Sequence, residues 1–98
     1  MIIKLEKKGT SLTIAPEGRL DTISAPEFEK KIRETIDGIT DLTFNMEKLD
    51  YISSAGLRVL LSSQKIMNRQ GKMKLINVNK TVMEIFEVTG FVDVLTIK

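Results

Sequence analysis

Between Leu57 and Arg69 the chain is apolar on almost every side of a helix. At about 100° per residue with Leu57 at zero, Leu61 falls near about 40°, Leu60 about 300°, Met67 about 280°, Val59 about 200° and Ile66 about 180°. Arg58, Ser62, Lys65 and Arg69 are left in one strip between about 80° and 140°. A helix with so narrow a wet face suits a place on a sheet with neighbours on both sides. Gly71 offers its C-terminal stop.

The rest of the chain supplies the sheet. Ile3 and Leu5 alternate with charged residues, Gly9 marks a turn, and Leu12 and Ile14 resume the period of two, so residues 2–20 read as two tightly joined strands. Ser24-Ala-Pro-Glu27 matches a capping box and predicts a helix from about Ala25, with Phe28, Ile32 and Ile36 on its buried stripe and Gly38 ending it. Leu42, Phe44 and Met46 alternate as a third strand, after which residues 47–52 lead into the helix that follows. Met73, Leu75, Ile76 and Val78 read as a strand buried on both faces. Asn79 is placed to cap a third helix carrying Val82, Met83, Ile85, Phe86 and Val88, with Gly90 as a left-handed stop and Phe91 as its apolar contact. Val92, Val94, Leu95 and Ile97 give either a last strand or a short helix and a strand. The alternation predicts an α/β sheet covered by helices, within one domain of 98 residues.

What is missing narrows the chemistry. With no Cys and no His, disulfides, thiolate nucleophiles, cysteine-ligated metals and the commonest general base are all excluded. No P-loop, Rossmann glycine pattern, metal-ligand cluster or carboxylate pair with a nearby base occurs. No cofactor is expected. No apolar run approaches the ~18 residues that cross a bilayer, and Met-Ile-Ile-Lys-Leu-Glu is no signal peptide, so cytoplasmic residence without membrane attachment is the expectation. Fifteen basic against 13 acidic residues, with one Tyr and no Trp, give no nucleic-acid-binding surface.

Ser53 and Ser54 stand where a strand gives way to the buried helix, followed by the small residues Ala55 and Gly56. A serine there is a good N-cap. A protruding hydroxyl at a helix N-terminus is equally suited to phosphorylation, because free amides and the helix dipole favour the added anion and small neighbours admit another protein's active site. The two readings are compatible.

Leu49-Asp-Tyr-Ile-Ser-Ser-Ala-Gly-Leu-Arg-Val-Leu-Leu61 resembles the signature of STAS domains, particularly bacterial anti-sigma-factor antagonists. Gly18-Arg-Leu-Asp-Thr-Ile-Ser-Ala-Pro-Glu-Phe28 and Gly90-Phe-Val-Asp-Val-Leu95 extend the resemblance over essentially the whole chain. It implies a single STAS-type domain (residues 1–98) with a mixed four- to five-stranded sheet flanked by helices, and no enzymatic activity. It implies a partner switch: the unphosphorylated protein binds an anti-sigma factor and frees the sigma factor, the anti-sigma factor's serine kinase activity reverses this, and a phosphatase removes the phosphate. Many antagonists carry Asp directly before the phosphorylated Ser. Counting back from Gly56 and Leu57 puts Ser53 at that position and Ser54 at the acceptor, with Ser53 the alternative acceptor. Asp21 matches a loop acid that the family places on the same face, although as a residue it also reads as a turn or cap. The partner-binding set implied is Asp21, Thr22, Ser53, Ser54, Gly56 and Arg58.

Other readings use the same residues. A stand-alone STAS subunit of a transporter or signalling scaffold would leave the serine unmodified. An enzyme with Ser54 as nucleophile lacks a base: Lys65 is offset by ~16 Å along the helix. Lys65 and Arg69 read as a solvated stripe, while Arg58, one turn from Ser54, is the better partner contact. Met67, Met73 and Met83 read as core filler.

Overall fold

A computed structural model describes residues 1–98. Strand β1 (Ile2–Lys8) turns back into the long strand β2 (Ser11–Leu20), which leads through a short loop to helix α1 (Ala25–Thr35). Strands β3 (Asp41–Asn45) and β4 (Leu49–Ile52) follow, then helix α2 (Ser54–Gln70), strand β5 (Lys72–Ile76), helix α3 (Lys80–Thr89) and a single 3₁₀ turn over Phe91–Asp93.

The sheet is mixed, in the order β1-β2-β3-β5, with β1 antiparallel to β2 and the other pairings parallel. Strand β2 is long enough to serve two neighbours. Its first half, Ser11 to Ile14, pairs β3, while Gly18 to Leu20 pair β4 across a register shift at Gly18 and Arg19. Strand β4 has no counterpart in the strand pattern expected from the sequence. Its four residues run buried, exposed, half-buried, buried, a sequence too short and too irregular for a period of two.

Cross-strand rows Leu12–Leu42–Met73 and Ile14–Phe44–Leu75 lie on one face, because side chains paired in register point the same way. All are buried, within one cluster of 22 residues that also takes Phe28 and Ile32 from α1, Leu57, Leu60 and Met67 from α2, and Val82 and Phe86 from α3. The Phe28 and Phe44 rings meet at 5.8 Å, tilted by 55°, an arrangement worth about 0.5–1.5 kcal/mol beyond the area it buries.

The other face carries Thr13, Ala15, Thr43, Asn45, Lys74 and Ile76, none of them buried. That corrects the expectation of a doubly buried last strand: β5 hides Met73 and Leu75 only, and stops before Val78 because Asn77 takes φ 58°. Val88, assigned to the apolar side of α3, is 87% exposed. The chain ends in the second of the two expected ways, a short helical turn and then a bridge from Ile97 to Leu75.

Helix ends show which caps operate. Asn79 caps α3 as expected, its Oδ1 accepting the Val82 N–H at 2.9 Å while its Nδ2 donates to the Leu49 carbonyl at 2.7 Å, and Gly90 is left-handed at φ 81°. The Ser24 capping box does not form. Ser24 has helical backbone angles, and its hydroxyl donates to the Arg19 carbonyl at 2.7 Å instead. Helix α1 stops at Thr35, before Gly38. Helix α2 does end at Gly71, but through close approach rather than a left-handed cap: a Cβ there would lie 2.0 Å from the Thr40 carbonyl oxygen. Gln70 seals the same corner, its Nε2 donating to the Ile36 and Ile39 carbonyls at 2.8 and 2.7 Å.

Candidate functional site

Parallel strands β2 and β4 end side by side, with Leu20 in register with Ile52. Ligands and partners of parallel sheets meet them at the carboxyl ends of the strands. From that end β2 leads into the Asp21–Ser24 loop, while β4 passes directly into α2 through Ser53. The Ser53 N–H donates to the Leu20 carbonyl at 2.8 Å, so the two exits are bonded together.

Ser53 and Ser54 have different surroundings. Ser53 is the N-cap by its extended backbone (φ −97°, ψ 177°), and its carbonyl accepts the Leu57 N–H at 2.9 Å. Its hydroxyl forms no capping bond and is buried without a partner. Capping by a serine side chain is therefore not what either hydroxyl does. Ser54 is the first helical residue and is exposed. The first amides of α2 have no intrahelical acceptor and receive none from Ser53, so they are available to an anion carried on Ser54.

Asp21 builds the neighbouring turn. Its Oδ1 accepts the Ile23 and Ser24 N–H groups at 3.0 and 3.1 Å, and its own N–H donates to the Ser24 hydroxyl at 3.0 Å. The Ser24 N–H chiefly holds the Asp21 carboxyl below its ordinary range; desolvation opposes it, and the Ile23 N–H, the Ser24 hydroxyl and the Arg19 guanidinium add to the lowering. Arg19 Nε is 4.0 Å from Asp21 Oδ2, and its guanidinium stands 4.4 Å over the centre of the Tyr51 ring. The turn role and a charged face toward solvent coexist.

Thr22 and Arg58 are exposed and line one depression of about 330 Å³ with Ala25, Pro26, Glu29, Ala55 and Val59. Gly56 does not belong with them. It is buried, and a Cβ there would come within 2.7 Å of both Leu20 Cγ and Ile52 Cγ1, so it serves the approach of α2 to the two strand ends. Lys65 and Arg69 are exposed further along α2. Met67 and Met73 are buried, while Met83 is half-buried against the core.

Sequence reasoning passed over Arg19, Tyr51 and Ile23. The first two lie on opposed strands, and only the pairing of β4 brings them together. Ile23 did carry a signal: it is a large apolar residue between Thr22 and Ser24, in neither a helical nor a strand period. No group of three or more His, Cys, Asp or Glu side chains comes together to hold a metal. The largest depression, about 510 Å³, includes Asp41, Asn68, Lys72 and Lys98 and lies at the amino ends of β3 and β5, away from Ser54. No helix is long and apolar enough to cross a membrane.

The family model described as STAS domain matches residues 2–98. The BtrV protein of Bordetella bronchiseptica is 31% identical over 96 residues, covering 96% of this chain and 83% of its own length. The anti-sigma-B factor antagonist of Bacillus subtilis is 28% identical over 96 residues, covering 97% of this chain and 86% of its own. Among solved structures, the phosphorylated form of the Bacillus cell fate determinant SpoIIAA superposes with a TM-score of 0.76 at 22% identity, covering 99% of this chain and 91% of that one.

Proposed function

This chain belongs to the STAS domain family, and from that premise we propose that it is an anti-sigma-factor antagonist switched by phosphorylation of Ser54. Unphosphorylated, it binds an anti-sigma factor that is also a serine kinase and so frees the sigma factor. The kinase transfers the ATP γ-phosphate to the Ser54 hydroxyl, the complex separates, and a phosphatase resets the protein. The antagonist itself performs no catalysis, uses no cofactor, binds neither nucleic acid nor membrane, and acts in the cytoplasm.

The observation that carries this reading is the contrast between two adjacent serines. Ser54 is exposed at the first position of α2, beside a loop that is bonded to it through Ser53, whereas the Ser53 hydroxyl is buried. A kinase can reach one and not the other. Added charge at Ser54 meets the positive end of the helix dipole, so the domain tolerates it. The same charge desolvated at an interface without a counter-charge is costly, so the complex does not. Asp21 adds a second negative group at that end of the sheet, which sharpens the difference between the two states.

The test is a panel of purified anti-sigma-factor kinases encoded by the source genome. One member should bind the wild type, phosphorylate it on Ser54 with ATP, and fail to bind Ser54→Asp. A panel in which no member binds or phosphorylates the wild type refutes the reading.

A further inference from the structure

Ile23 is 89% exposed, the highest value for any large apolar side chain in the molecule. It contributes nothing to the core. Yet its backbone is firmly held. Asp21 Oδ1 accepts the N–H groups of both Ile23 and Ser24, and the Ser24 hydroxyl ties the turn to the Arg19 carbonyl at 2.7 Å. An exposed apolar side chain on a fixed turn loses little conformational freedom when it is buried against a partner.

Its position gives the partner. Thr22, the preceding residue, lines the depression shared with Ala55 and Arg58, so Ile23 stands at the end of the sheet from which Ser54 is presented. Thr22, Glu29 and Arg58 line that depression together with Ala25, Ala55 and Val59, so the turn that carries Ile23 borders a surface of mixed polar and apolar character, as interfaces have. We propose that Ile23 is the apolar anchor of the antagonist's contact with its anti-sigma factor, entering an apolar pocket on the kinase. The inference rests on the partner reading above and adds to it the residue that supplies affinity. In this arrangement the Asp21 turn has two consequences at once: it places a carboxylate near the acceptor and fixes the direction of the Ile23 side chain.

Calorimetric titration without ATP tests this, using the full chain against the same kinase panel. Burying an isoleucine completely corresponds to about a 10- to 100-fold gain in affinity. Ile23→Ala should therefore weaken binding by about that factor, and Ile23→Asp by more, while both melt at the wild-type temperature because the residue is outside the core. Val88 on α3, 87% exposed, is the control, and Val88→Asp should bind within about twofold of wild type. If wild type binds a kinase but Ile23→Asp binds it equally, the anchor is elsewhere and the partner reading stands. A Val88→Asp loss as large as that of Ile23→Asp also overturns the assignment, since the effect would then not be local to the turn. If no kinase binds wild type, the partner reading fails and the anchor with it.

Discussion

The Ser53 N–H donates to the Leu20 carbonyl at 2.8 Å, and through that bond the start of α2 is joined to the turn built by Asp21. Both strand ends are fixed by register, Leu20 against Ile52, so the loop and the helix leave the sheet as one unit. The arrangement has measurable consequences.

Incubation with the cognate kinase and ATP should add one phosphate, on Ser54. The net charge of +2 should fall nearly to zero, because a phosphoserine carries about −1.5 to −2 charges near neutrality, and the acidic shift is visible by isoelectric focusing. Ser54→Ala abolishes the shift and Ser53→Ala retains it. Peptide mapping that locates the phosphate on Ser53 would overturn the assignment.

Phosphorylation should release the partner without unfolding the domain. An anion at a helix N-terminus contributes about 0.3–1 kcal/mol, so the melting temperature of the phosphoprotein should hold or rise slightly. A clear fall in melting temperature would mean that release comes from unfolding.

Asp21→Asn should leave the fold intact and lower partner affinity, phosphorylation rate or both several-fold. The same variant has a pH signature. The folded-state pKa of Asp21 is depressed below its unfolded value of about 3.9, so the carboxylate's contribution to stability is complete above about pH 5 and is lost as pH falls through the folded pKa. Thermal melts of wild type and variant should therefore differ most near neutrality and converge in acid. A gap that does not change with pH would show that the turn depends on shape and not on charge.

Gly56→Ala places a methyl within 2.7 Å of the buried Leu20 and Ile52 side chains, at the branching Cγ of the leucine and the Cγ1 methylene of the isoleucine rather than at a chain tip. Overpacking of this kind costs about 1–3 kcal/mol, partly offset by the ~1 kcal/mol by which alanine exceeds glycine as a helix former. Gly71→Ala should cost more, since its Cβ meets the Thr40 backbone, which cannot rotate away. Denaturant titration should rank the variants wild type, Gly56→Ala, Gly71→Ala in falling stability.

Much of this was legible in the chain. The wide apolar arc of α2, the Asn79 cap and the left-handed Gly90 each follow from local rules, and the structure keeps all three. Strand β4 was not legible because its pairing is set by distant β2 residues rather than by its own period. The capping box at Ser24 failed because Asp21, three residues earlier, offers a carboxylate acceptor to the same stretch of amides, and the Ser24 hydroxyl then bonds backward to Arg19. Ser53 and Ser54 are chemically alike, and only the packed helix separates a buried hydroxyl from an exposed one.

The idle hydroxyl of Ser53 bears on how such a protein can diverge. Helix α2 is held by its backbone, its apolar side and the absence of a side chain at Gly56, and by nothing on either serine. Substitutions at residues 53 and 54 therefore leave the scaffold nearly untouched, while any side chain added at residue 56 costs stability. Duplicate copies of the gene could lose, regain or reassign their control by single mutations at the helix start, each passing selection on folding unnoticed and facing it only in the company of a partner.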